Sequence, residues 1–258
     1  MTRLSGKTIV LTGAGSGIGR AMARAFVEHG GDVLAVDLSE AGLSETASLC
    51  AGPGRIEILV ADVTDVTLPV QIESEMARHG WDWNVLVNNA GIGGGGMAED
   101  CDDDTLQRYL EVNVKSLFRL SRAAIAKMKT GGGVILNTAS IYSLIGATGS
   151  AAYSTSKAAV AGMTRQMATD YGPLGIRVVA LAPGLIETPL TAERIRTEAW
   201  RRQIFIDQCP LRRAGKPEDI AAGAVFLISE EASFITGETI RIDGGWTLGR
   251  YPRPGDIA

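Results

Sequence analysis

The chain has 258 residues, 45% hydrophobic and 21% charged, and 32 of them are glycine, roughly 12 per cent against about 7 per cent in an average protein. The glycines keep no three-residue period and the apolar fraction is that of a globular protein, so a collagen-like rod and a disordered chain are both excluded. A net charge of −4 and a pI near 5.3 argue against a nucleic-acid groove or a polybasic membrane surface.

Lys7–Thr12 reads as a buried strand, and Ile18–His29 as a helix with Ile18, Met22, Ala25 and Phe26 on one face. Gly30 and Gly31 follow where that helix stops. Val33–Val36 is the second strand, after which Ser39 caps a helix running to about Cys50. Ile56–Val60 is the third strand, Asp65–His79 the next helix and Asn84–Asn88 the fourth strand. One long helix is predicted over Asp104–Lys129, with Glu99, Asp100 and Asp102–Asp104 as acids gathered at its start rather than a cation site. Strand Gly133–Thr138, helix Ala151–Tyr171, strand Arg177–Leu181, helix Pro217–Ser229 and strand Thr239–Ile242 complete the series.

Strands alternating with helices longer than about ten residues favour right-handed crossovers and a parallel sheet. Continuously apolar strands demand cover on both faces. The fold class is therefore α/β, a single doubly wound parallel sheet of about seven strands with helices on both faces. No linker or repeat divides it, so residues 1–258 read as one domain. Two stretches stand apart: a loop around 185–211 with short charged helical pieces, and a Gly- and Pro-rich tail from Trp246 to Ala258.

The remaining signals are mostly negative. Cys50, Cys101 and Cys209 are widely spaced and read as free thiols. His29 and His79 stand where helices end, as C-terminal cations rather than metal ligands, and no metal site is expected. The uncharged run from Thr130 to Ser156 is broken by Gly, Ser and Thr and never reaches about 18 consecutive apolar residues, so no membrane span is expected. With no basic-then-apolar leader before the first strand, the expectation is a cytoplasmic protein.

The first strand runs into Thr12-Gly13-Ala14-Gly15-Ser16-Gly17-Ile18-Gly19. The glycines fall as G-x-x-x-G-x-G rather than G-x-G-x-x-G, but the physics is the same. Glycine lets the backbone approach a pyrophosphate, and the helix N-terminus offers unpaired N–H groups and partial positive charge. Without G-K-[ST] it is not a P-loop. The second strand runs on to Asp37, where a carboxylate would accept both adenosine ribose hydroxyls and repel a 2′-phosphate, so NAD is favoured over NADP. Ser16 and Leu38 bring no cation for that phosphate, and Asp62-Val63 could meet the adenine edge.

The sharpest constellation is Ser140 with Tyr153-Ser154-Thr155-Ser156-Lys157. Tyr153 and Lys157 share one face of a helix. A phenol titrates near about 10, and a neighbouring ammonium together with an oxidised nicotinamide would lower that value and make it a usable base. Ser140 falls at the end of the fifth strand, on the edge that carries the glycine-rich turn, where its hydroxyl can hold a substrate oxygen.

Thr12-Gly13-x-x-x-Gly17-x-Gly19, Asn88-Asn89-Ala90-Gly91, Asn113, Ser140, Tyr153-x-x-x-Lys157 and Pro183-Gly184-x-Ile186-x-Thr188 together resemble the short-chain dehydrogenase/reductase family, and the resemblance extends from residue 12 to Gly245. It implies a Rossmann sheet with nicotinamide at the strand C-termini and Tyr153 as acid/base. Ser140 would polarise the substrate oxygen, Lys157 would bind the nicotinamide ribose, and Asn113 would hold a relay water. Asn89, Ala90 and Gly91 would line the adenosine ribose, while Ile186 and Thr188 would meet the carboxamide. The reaction implied is hydride transfer between NAD and a small-molecule secondary alcohol or ketone. Helices Asp104–Lys129 and Ala151–Tyr171 resemble those through which the family forms tetramers, so a homo-oligomer is expected.

Three rival readings share these motifs or this fold. A 3-oxoacyl-[acyl-carrier-protein] reductase would use the arginines at 194, 196, 201, 202, 212 and 213 to receive its acidic carrier. A non-catalytic NAD sensor would normally lose Tyr153, Lys157 or Ser140. A sugar-nucleotide epimerase would need a longer C-terminal part. Ile141, Tyr142, Leu144, Trp200, Phe205 and Trp246 are candidate pocket walls suiting an apolar or cyclic alcohol, and Gly93–Gly96 is a loop without side chains beside the substrate.

Overall fold

The structure is a computed structural model describing residues 2–189 and 191–249. Seven strands form one parallel sheet: β1 Thr8–Thr12, β2 Asp32–Asp37, β3 Ile56–Val60, β4 Val85–Asn88, β5 Gly133–Thr138, β6 Ile176–Pro183 and β7 Thr239–Ile242, ordered β3-β2-β1-β4-β5-β6-β7. All neighbours run parallel, with Ile9 opposite both Val33 and Val85.

Alternation along the strands sorts their apolar residues onto two covered faces. Ile9 and Leu11 face α1 (Gly17–Glu28) and α9 (Pro217–Ile228), packing with Met22, Phe26, Ile220 and Ala224. Val10, Leu34 and Leu86 face the other way, onto Ile72 of α3 (Leu68–Arg78), Leu120 of α5 (Ser116–Met128) and Met167 of α6 (Ala151–Tyr171). The central strands are buried on both faces, while the edge strands β3 and β7 are only partly covered.

The order reverses between β1 and β4: the chain winds outward to β3 on one side and to β7 on the other. In an open α/β sheet such a reversal leaves a crevice at the strand C-termini. A buried polar ladder holds the inner strands together there. Asn88 donates to Asn137 (2.9 Å) and to Ser121 (3.1 Å), and Asn137 donates to Thr164 (3.0 Å), tying β4 and β5 to α5 and α6.

The largest departure from the sequence reading is the expected helix Asp104–Lys129. It is α4 (Asp103–Leu110), a π turn over Glu111–Lys115 and then α5, with Asn113 inside the π turn. Asp102 caps α4, accepting from the Thr105 N–H at 2.8 Å, which accounts for the acids at its start. Helix α3 begins at Leu68 rather than Asp65, because Asp65 turns the chain by accepting from the Thr67 N–H and hydroxyl (2.8 Å each) ahead of Pro69. His29 and His79 close α1 and α3. Cys50 and Cys101 are half-buried free thiols, and Cys209 is a buried one. The 185–211 loop holds α7 (Ala192–Thr197), α8 (Ala199–Arg202) and a π turn over Gln203–Asp207. Trp246 of the expected tail is buried, and residues 250–258 lie outside the described residues. Among the described residues no helix is long and apolar enough to cross a membrane.

Candidate active site

The turn after β1 is built for close approach. A Cβ on Gly19 would collide with the Gly13 carbonyl, and one on Gly13 would stand 2.9 Å from Ala90 Cα, so the two loops meet backbone to backbone. Asn89 fastens them, donating from Nδ2 to the carbonyls of Thr12 (3.1 Å) and Gly13 (3.2 Å). The Thr12 hydroxyl accepts from the N–H groups of Asn89 and Ala90, both at 3.1 Å. Arg20 grips the far side of the turn through the Gly15 carbonyl (2.5 Å) and Thr46 (3.1 Å), and pairs with Glu45 at 2.7 Å.

This loop opens onto a cleft of about 560 Å³. Gly13, Ser16, Gly17, Ile18 and Gly19 line one side of it. Asp37, Asp62 and Val63 come from the ends of β2 and β3, and Asn89, Ala90 and Gly91 from the end of β4. Thr188 closes it beside Gly17. Pro183, Gly184 and Ile186 do not line it. Ile186 is buried in the core against Gly215, and the Gly184 N–H is bonded to Ile242 (3.0 Å), so these residues brace the loop that presents Thr188. Sequence reasoning missed Ile92, Arg108 and Val112, which complete the cleft from across the chain without any motif to announce them.

The Asp37 carboxylate is oriented at both oxygens, by the Gly15 N–H and the Ser39 N–H, each at 2.9 Å. A carboxylate has about four lone-pair sites, so acceptor capacity remains toward the cleft. Asp62 is likewise held by Thr64, through its N–H and hydroxyl at 2.8 Å.

The four residues singled out from the sequence do not line this cleft but gather behind Gly91, where a Cβ would stand 3.0 Å from Asn113 Oδ1 and 3.4 Å from the Lys157 nitrogen. Ser140 caps a 3-10 turn two residues past β5, its hydroxyl accepting from the Tyr142 N–H at 3.2 Å. Burial pushes the Tyr153 phenol above its ordinary value, its hydrogen bond with Ser140 pulls the other way, and the neighbouring Tyr142 and Tyr109 add to the rise. Lys157 is buried and donates to the Thr138 carbonyl at 2.7 Å, and burial brings its ammonium down to about 8. Its nitrogen lies 5.9 Å from the Tyr153 ring centroid and beside Gly91. The protein by itself therefore does not lower the Tyr153 value, because burial outweighs the hydrogen bond with Ser140.

Asn113 is buried and locked. It accepts from the Ile92 N–H (2.8 Å) and donates to the Ile92 carbonyl (3.0 Å) and to Ser156 (3.0 Å). Ser156 in turn donates to the Tyr153 carbonyl at 2.7 Å. A π turn shifts the amide ladder by one residue, which frees a main-chain carbonyl where a helix would bond it.

Tyr109 and Tyr142 meet the Tyr153 ring edge-on, at 6.4 and 6.2 Å between centroids. Gly93–Gly96 passes beside them: a Cβ on Gly94 would strike the Tyr109 hydroxyl, and Gly96 is stitched to the start of α6 through Gly149 (2.8 Å) and Ala151 (3.1 Å). Of the proposed walls, Ile141, Phe205 and Trp246 form one cluster with Tyr142 beside it, whereas Leu144 and Trp200 are largely exposed.

The family described as enoyl-(acyl carrier protein) reductase matches residues 13–247. The chain is 37% identical to a Thermotoga maritima 3-oxoacyl-[acyl-carrier-protein] reductase, over 95% of this chain and all of that one. It is 38% identical to a Bacillus subtilis 2-dehydro-3-deoxy-D-gluconate 5-dehydrogenase, over 94% of this chain and 95% of that one. Among solved structures, a Mycobacterium marinum short-chain type dehydrogenase/reductase superposes with TM-score 0.89 at 32% identity, covering 96% of this chain and 98% of that one. A Beutenbergia cavernae protein solved with NADP at low occupancy gives TM-score 0.89 at 38% identity, covering 96% and 99%. The chain belongs to the short-chain dehydrogenase/reductase family, as an oxidoreductase that moves hydride between a nicotinamide cofactor and a hydroxyl or keto carbon.

Proposed function

We propose that the chain is an NAD-dependent dehydrogenase of secondary alcohols and their ketones, with Tyr153 as the acid/base. The observation that carries this is the gathering of Tyr153, Ser140 and Lys157 behind Gly91, next to a glycine-walled cleft that reaches Asp37. The cleft suits a dinucleotide: it has about 560 Å³ and runs from the N-terminus of α1 at Gly17 to the Asp37 carboxylate, while Gly13 and Gly19 let the turn behind it fold onto itself and onto Ala90. Ser16 and Ile18 would flank the pyrophosphate, and Asp62 and Val63 the adenine. When bound, the nicotinamide supplies the hydride acceptor or donor and, oxidised, a positive charge beside Tyr153.

The chain's own groups manage alignment and the proton. The Ser140 hydroxyl holds the substrate oxygen next to Tyr153, which takes the alcohol proton in oxidation and returns it in reduction. Lys157, fixed by Thr138, would hold the nicotinamide ribose, and its ammonium would favour the phenolate once the cofactor's charge is also present. Asn113 sets the π turn from which a relay water is held toward Lys157. The Asp37 carboxylate accepts the adenosine ribose hydroxyls and opposes a 2′-phosphate. Arg20 is not available to reverse that preference, being engaged by Gly15, Thr46 and Glu45.

Residues 1–258 act in this reading as one nucleotide-binding domain with the substrate loop at 185–211, in a cytoplasmic homotetramer packed through α5 and α6. The arginines do not favour the carrier-protein alternative over this reading, because Arg194, Arg196, Arg201, Arg202 and Arg213 each already lie within 4.0 Å of a carboxylate. A screen over cyclic, aliphatic, polyol, steroid and acyl-thioester substrates with both cofactors tests the assignment. Turnover with kcat/KM at least about tenfold higher for NAD is expected from one charge-assisted contact; preference for NADP overturns the reading of Asp37.

A further inference from the structure

A second, small cavity of about 40 Å³ lies between the Gly93–Gly96 loop and the start of α6. Gly94, Gly95, Gly96, Tyr109, Ser150 and Tyr153 all line it, so it adjoins the proposed acid/base itself. The loop rests against the Tyr153 ring, since a Cβ on Gly93 would stand 3.9 Å from Tyr153 Cε2. It is also fixed to α6: the Gly96 N–H donates to the Gly149 carbonyl (2.8 Å), and the Gly96 carbonyl accepts from the Ala151 N–H (3.1 Å). A wall of three glycines offers no side chain, so polar side chains reach the cavity from the helices only.

Ser150 stands just ahead of α6, where a serine ordinarily turns its hydroxyl onto the first N–H groups of the helix. Here it makes no such bond. The residue is only 6% exposed, and its hydroxyl has no hydrogen-bond partner. A buried hydroxyl left unmet is unfavourable until an oxygen or N–H group meets it. Asp100 lines the cavity too, and its carboxylate opposes an anion there. A neutral group that both donates and accepts suits a serine hydroxyl beside a carboxylate, and an alcohol hydroxyl does both. Size agrees: a water needs about 10 to 15 Å³ of such space, so the cavity admits a hydroxyl with its carbon but no aromatic ring.

We infer that Ser150 receives a second hydroxyl of the substrate, so that the enzyme acts on vicinal diols and the matching hydroxy ketones. With the reacting oxygen at Tyr153, the substituent on the adjoining carbon is the part that reaches a cavity sharing that residue. This rests on the dehydrogenase reading above and narrows its substrate.

The test uses matched pairs differing by one hydroxyl: butane-2,3-diol with butan-2-ol, cyclohexane-1,2-diol with cyclohexanol, and, in reduction, 3-hydroxybutan-2-one with butan-2-one. Each stereoisomer is assayed separately, and the readout is the ratio of kcat/KM, hydroxylated over deoxy. In wild type at least one pair is expected to give a ratio of about 10 to 100, because the deoxy member leaves the Ser150 hydroxyl unmet. Ser150→Ala should bring that ratio close to one through loss of turnover on the hydroxylated member. Its thermal midpoint should be no lower than wild type, since the hydroxyl it removes caps nothing. A lowered midpoint would show that the fold already uses the hydroxyl, and overturns the inference. Deoxy members turned over as well as diols, or a diol preference that survives Ser150→Ala, overturns it while leaving the dehydrogenase reading intact. Failure of all six compounds also overturns the subsite, and the dehydrogenase reading then answers to the broader alcohol screen.

Discussion

Lys157 shows what the site demands of the fold. An ammonium buried with the Thr138 carbonyl at 2.7 Å gives up bulk hydration, which is why its value falls to about 8. The folded value lies below the unfolded one, so below pH 8 both states hold the proton and the full burial penalty opposes folding. Between pH 8 and about 10.5 the unfolded chain binds more protons than the folded one, and stability rises with pH until the penalty is gone. Lys157→Met should therefore be more stable than wild type at pH 7, by up to about 3 kcal/mol, with the advantage shrinking from pH 8 to about 10.5. Denaturant melts of both proteins across that range check this; a difference flat in pH contradicts it. Ser140, Tyr153 and Lys157 were legible in the sequence because they fall at a strand end and one helical turn apart. Tyr142 was among the candidate walls, but Tyr109 as a wall of Tyr153 was not legible, since neither spacing nor residue type marks an edge-on contact across the chain.

Among the elements, the strands were readable to within one or two residues because continuous apolar runs mark them on both faces. The π turn at Glu111–Lys115 was not: one inserted residue in a single turn hardly disturbs an apolar period, yet it is what places Asn113 against Ile92. Within the Gly93–Gly96 loop, which carried no side-chain signal, Gly94 has a definite structural reason in the Tyr109 hydroxyl and Gly95 in the Gly149 carbonyl. Gly94→Ala should drive that hydroxyl away, disturb the Tyr109–Tyr153 contact and lower kcat about tenfold, the scale of a sub-ångström misplacement at a reacting centre. Removing the hydroxyl makes room, because the ring carbon behind it would stand 3.5 Å from the new methyl, an ordinary contact. Gly94→Ala combined with Tyr109→Phe should therefore recover activity over Gly94→Ala alone, and steady-state rates of the three proteins decide it. A double variant no faster than the single one contradicts this account.

Taken whole, the molecule divides its labour along the sheet. The turn after β1 and the ends of β2, β3 and β4 form the nucleotide cleft, whereas the end of β5 and helix α6 bring Ser140, Tyr153 and Lys157. The two parts meet at Gly91, between Asn113 and the Lys157 ammonium. In the proposed reading binding and proton transfer share only Lys157 on α6, and one atom can be taken from Tyr153 without touching the cleft. Tyr153→Phe removes only the phenolic oxygen from a ring held between Tyr109 and Tyr142. Turnover and NADH binding by fluorescence, measured side by side on this variant, test the central claim most directly. The account predicts turnover lost with NADH affinity kept within a few-fold of wild type; substantial turnover in Tyr153→Phe, with NADH still bound, would contradict it.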